Sequence, residues 1–242
     1  MATPASVTPW SVATMSGDQG INALLIGTKW TSSMVTYSFP TYGSTWTTSY
    51  GDGEPWSANF SPLFSSDQAA IRTALSSWSA VANLTFVETS DTDTVVGDMR
   101  FAYTTTAAGA DAQAWAYRPQ DSSAAGDVWF SADSTSYTHE WSEGSYRYET
   151  AIHEIGHALG LKHPFSTSSY SGSLLYPSFD SRSFTIMSYS AVAGDDTTRF
   201  SYEPTTPMVL DIAAIQHLYG ANTSTGAGNT SYVFNFFASA RL

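Results

Sequence analysis

The chain has 242 residues, 42% hydrophobic and 14% aromatic, with no cysteine and a formal charge of −12. That is enough apolar material for one large domain or two modest ones, and it excludes a disordered chain. The missing cysteines exclude disulfides, thiolate zinc sites and a cysteine nucleophile; the acidity, with nine Lys and Arg and no basic patch, excludes nucleic acid and anionic membrane surfaces as partners.

Residues 1 to about 20 are rich in Pro, Thr and Ser and are expected to be loosely held. They have neither a basic n-region nor an apolar h-region, so they do not read as a standard signal peptide. No run of about 18 apolar residues predicts a transmembrane helix. Residues 34–39, MVTYSF, form a predicted strand closed by Pro40, and 41–64 a long ordered loop. Ser65 and Gln68 have capping-box spacing ahead of a helix whose buried face is Ile71, Leu75, Trp78 and Ala82. Strands are expected at 84–88, 99–103, 112–117 and 127–131. A second helix covers 146–159 and stops at Gly160, placed for a left-handed turn. Residues 164–185 show little periodicity. A last helix is expected to open with Thr206 as N-cap and Pro207 at N1, to bury Ile212, Ile215 and Leu218 or Tyr219, and to stop at Gly220. The remainder reads as a linker, and the class is α+β.

The chemistry concentrates in residues 153–163, HEIGHALGLKH. His153 and His157 are four apart on a helix, so both imidazoles project from one face and can share a metal. Gly160 lets the chain turn and bring round His163 as a third ligand. Three neutral nitrogens leave one coordination position open, the arrangement of a catalytic zinc. Glu154 lies next to the first ligand, placed to act as general base toward water.

Four stretches carry a resemblance: TYSFP at 36–40, AQAWAYRP at 112–119, HEIGHALGLKHP from 153 through IMSY at 186–189, and DIAAIQHLYGAN at 211–222. Over roughly residues 30–225 the chain resembles the catalytic domain of the serralysin family, secreted bacterial metzincins. The resemblance implies a two-lobed zinc protease domain of metzincin type, with a twisted five-stranded sheet and long helices. It implies an N-terminal extension at 1–30, the catalytic domain at 31–222 and a tail or linker at 223–242. Met187 matches the Met-turn methionine, and Tyr189 the tyrosine that binds zinc or swings away to stabilise an oxyanion. Ala112, Gln113, Ala114, Trp115 and Ala116 match the edge strand that pairs with an extended peptide. The cofactor implied is one catalytic zinc; calcium is left open. The chain is expected to be a secreted, monomeric endopeptidase acting on polypeptides, with a proteinaceous inhibitor as a further partner. It departs from the family in lacking glycine-rich calcium-binding repeats, and in FSTSSYSG after Pro164, a segment bordering the cleft.

Other residues have blander readings. His139 and His217 read as surface or packing histidines, and Asp91, Asp93, Asp195 and Asp196 as solvated loop carboxylates without a complete calcium loop. The aromatics at 41–56 read as packing. The competing functions are a catalytically weak zinc-binding protein-recognition module and a carbohydrate-binding module.

Overall fold

A computed structural model describes residues 2–47, 50, 60–105, 113–132, 140–195 and 197–228. Five strands form a path in the order β5 (Thr85–Glu88), β3 (Met34–Ser38), β6 (Met99–Thr104), β8 (Val128–Ser131) and β7 (Ala114–Ala116). The first four run parallel, and β7 closes the edge antiparallel to β8, with Trp115 opposite Trp129. A further strand, β4 (Phe60–Pro62), pairs antiparallel with the end of β6. The expected five-stranded sheet is therefore present with one strand added.

Alternation along β6 explains how this sheet is buried on both faces. Met99, Phe101 and Tyr103 point into the main core, while Ala102 points into a second cluster with Tyr50, Ala124 and Trp129. Helices α2 (Ser65–Val81) and α3 (Tyr146–Leu159) pack on the main-core face. The face of α2 read from the sequence is buried: Ile71, Leu75 and Trp78 all face the core. Trp78 donates its indole N–H to the Ile152 carbonyl at 3.2 Å, which ties the two helices together.

Several local expectations are corrected. The N-terminal segment is built into the fold: β1 (Trp10–Val12) pairs antiparallel with β2 (Thr28–Trp30), and α1 (Gln19–Leu24) packs on α4 (Val209–Tyr219). The capping box at Ser65 does not form. Phe64 is the N-cap without a side-chain bond, and Gln68 instead donates to the Leu63 carbonyl. The last helix starts two residues later than expected, because the Asp211 carboxylate accepts the Met208 amide and caps it there. Asp91 is not a solvated carboxylate; it forms a buried ion pair with Arg100 at 2.7 Å. Trp46, Tyr50 and Phe60 pack around Trp129, so Trp46 and Tyr50 are packing residues as read; Tyr42 stays 81% exposed, and Trp56 lies outside the described residues. Asp195 accepts bonds from Thr197 and Thr198 next to it. His217 donates to the Thr14 carbonyl. His139 and Asp196 lie outside the described residues. No helix among the described residues is long and apolar enough to cross a membrane.

Candidate metal centre

The pitch of α3 brings two imidazoles together: the rings of His153 and His157 lie 4.7 Å apart. Gly160 ends the helix at φ 110°, ψ 17°. A Cβ there would come within 2.3 Å of the Thr28 carbonyl, so the turn needs glycine for conformation and for space. The turn carries His163 back until its Nε2 is 3.0 Å from that of His157 and 3.2 Å from that of His153. Among the described residues these three are the group that can hold a metal ion.

Peptide carbonyls orient two of the rings. His153 donates Nδ1–H to Ile186 O at 2.7 Å, and His157 to Leu161 O at 2.9 Å. Each bond fixes the proton on Nδ1 and leaves Nε2 as the lone-pair nitrogen facing the centre. Burial is the main reason all three resist protonation: it holds His157 at about 4, His163 at about 3 and His153 well below the usual histidine range. Three converging neutral imidazoles fit zinc.

Glu154 stands beside this cluster. It is buried, its Oε2 has no hydrogen-bond partner among the described residues, and burial pushes its carboxyl up to about 8. A cation held by the three nitrogens favours the carboxylate and counters that shift. An unpartnered buried oxygen next to three imidazoles fits a site where water and a cation are handled together.

The floor of the site is the turn at 185–188. Met187 is fully buried against α3, and its Sδ lies where a Cβ on Gly156 would approach to 2.8 Å. The missing side chain at Gly156 makes the room. Asp211 fixes the turn: its carboxylate accepts the Thr185 hydroxyl at 2.5 Å and the Ile186 amide at 2.9 Å. Tyr189 follows, 60% exposed, with its ring 4.6 Å from His163 and 5.9 Å from His153. Arg182 donates to the Tyr189 carbonyl at 3.2 Å and forms a buried ion pair with Glu203, also at 3.2 Å.

A cavity of about 630 Å³ opens beside Glu154. Gln113 and Ala114, at the start of β7, line it together with Glu149, Thr150, Arg182 and Glu203. The Trp115 ring packs into the second cluster, away from the metal-site helix, and Ala112 lies outside the described residues. Glu149 was open to discovery, since it sits one turn before His153 on the same helix face. Arg182, Glu203 and Asp211 carry no local signal, because each acts on a residue distant in sequence.

A helix bearing two metal-ligating histidines, a glycine turn to a third, and a methionine turn beneath them define a metzincin-type peptidase domain. The matrixin family model matches residues 61–200, more than half of the chain. The chain belongs to this matrixin and serralysin family of metzincin peptidase domains. It is 37% identical to Serralysin B of Dickeya chrysanthemi over 211 residues, covering 83% of this chain and 42% of that protein. It is 33% identical to Serralysin of Photorhabdus luminescens over 193 residues (76% and 39%). It is also 33% identical to Metalloprotease AprA of Pseudomonas entomophila over 187 residues (73% and 38%). The chain thus spans about two fifths of the length of these curated relatives.

Proposed function

We propose that this chain is a secreted zinc endopeptidase domain that cleaves internal peptide bonds, with residues 31–222 carrying the catalytic groups and the N-terminal segment packed against them as part of the same body. The observation that carries this reading is the convergence of His153, His157 and His163 beside the buried, unpartnered Glu154. The three Nε2 atoms would hold the ion. Bound there, zinc supplies Lewis-acid polarisation of the scissile carbonyl and acidifies the attacking water.

The remaining steps fall to side chains of this chain. Glu154 takes a proton from the attacking water and delivers it to the leaving amine. The Tyr189 hydroxyl donates to the carbonyl oxygen as negative charge builds on it. The edge strand β7 pairs through its backbone with an extended substrate, and the cavity beside Glu154 receives one substrate side chain. Polypeptides are the substrate class, and a proteinaceous inhibitor would occupy the same edge.

Metal analysis of the purified chain with a fluorogenic-peptide assay tests the proposal. About one zinc per chain and chelator-sensitive cleavage are expected. His157→Ala and His163→Ala should each empty the site. Full zinc occupancy in both variants, or cleavage that survives metal removal, refutes it.

A further inference from the structure

The three ligand rings are not held alike. His153 and His157 each give their Nδ1 proton to a backbone carbonyl. His163 has no such carbonyl among the described residues; its Nε2 simply converges on the Nε2 atoms of the other two ligands. Without a bond at Nδ1, the plane of the ring about its Cβ–Cγ bond has to be set by ring packing when no ion is present. Phe165 supplies the missing constraint. Its ring lies parallel to that of His163, at 9° and 5.1 Å between centroids, and it also touches the Tyr189 ring at 5.1 Å. Offset parallel packing of this kind fixes a ring plane, which a hydrogen bond at Nδ1 would otherwise do.

Phe165 is itself held in place, although it is 44% exposed. The Ser166 amide donates to the His163 carbonyl at 3.2 Å, so residues 163–166 form a tight turn with Phe165 at its tip. The Lys162 ammonium is buried and donates to the carbonyls of Ser166, Ser173 and Ala23, which pins that turn from inside. The Pro164 carbonyl accepts the Leu175 amide at 2.9 Å. An exposed aromatic ring with no partner deeper in the fold costs solubility and offers little stability; here the ring packs on His163 and Tyr189.

We propose that Phe165 is a positioning residue of the metal centre: its ring sets the plane of His163, as the Ile186 and Leu161 carbonyls set the other two. The inference rests on the zinc reading above.

Zinc affinity tests it, read by competition with a chromophoric chelator on the full chain, with wild type, Phe165→Ala, Phe165→Leu and Phe165→Tyr. Phe165→Ala should weaken zinc binding about tenfold, the lower end of the effect of losing a ligand's supporting contact. Phe165→Leu keeps apolar bulk without a ring plane and should fall with Ala; Phe165→Tyr should stay close to wild type. The cobalt-substituted proteins give a second readout: the visible absorption should shift in the Ala and Leu variants and not in Tyr. Should Ala fail to fold, the contrast between Leu and Tyr decides. Equal zinc affinity across all four proteins overturns the inference while leaving the zinc reading intact. A wild-type chain that binds no zinc overturns both.

Discussion

Asp211 and Ile186 meet at 2.9 Å, carboxylate to amide, and the carbonyl of that same Ile186 accepts the Nδ1 proton of His153. One carboxylate on α4 therefore aims a ligand on α3 through a single residue of the turn between them. Asp211→Ala should weaken zinc binding by about 10- to 100-fold, with Asp211→Asn intermediate because its amide oxygen can still accept one bond. Chelator competition measures this. Unchanged affinity in a folded Ala variant would show that the Met-turn holds its shape unaided.

Glu154→Gln keeps the size of the side chain and removes its basic oxygen. Zinc content should be retained while kcat falls at least about 10²-fold, the scale of general acid–base help. Near-wild-type turnover in that variant would assign the proton transfer elsewhere.

Tyr189→Phe removes one hydroxyl from a ring that is largely exposed and in ring contact with two ligands. A donor used only in the transition state affects kcat and spares KM and metal content. The expected loss is about 10²-fold, or roughly 3 kcal/mol. A kcat within about twofold of wild type means the ring only packs there.

The metal-free protein should lose stability as pH rises from 6.5 to 8. Burial raises Glu149 and Glu154 from 4.5 to about 8, so between those values the folded chain holds more protons than the unfolded one, and stability falls with rising pH. The three histidines act in the opposite sense, but only below their unfolded value of about 6.5. Asp211, raised to about 6, has largely ionised by then, and Lys162, depressed to about 8, contributes mainly above the window. Each carboxyl should cost about 1.4 kcal/mol per pH unit. Burial also raises the Asp127 carboxyl well above its ordinary value, which acts in the same sense; urea melts in excess chelator should show the combined slope, and Glu149→Gln should reduce it by one carboxyl's share. A flat profile in the unsubstituted chain would mean that neither carboxyl is desolvated as described.

The metal ligands were legible because helical pitch and one glycine place them, and both are local properties of residues 153–163. The long helices and most strands were legible for the same reason. The short elements β1, α1 and β2 were not, since three to six residues are too few to show a period and tertiary contact decides them. The start of α4 was misplaced because Thr206-Pro207 is a good local signal that lost to the Asp211 carboxylate. That carboxylate is committed to the turn at 185–186, which no local pattern around residue 206 reveals.

The buried ammonium of Lys162 has a consequence for how this molecule can be cut. One of its carbonyl partners, Ala23, belongs to α1, 139 residues earlier in the chain. A chain begun at residue 31 would strand a cation in the interior with one acceptor gone, directly beside the third ligand. Trimming the first thirty residues as dispensable packaging would thus remove part of the foundation under His163, and such a fragment should take up zinc poorly even though every ligand is still encoded.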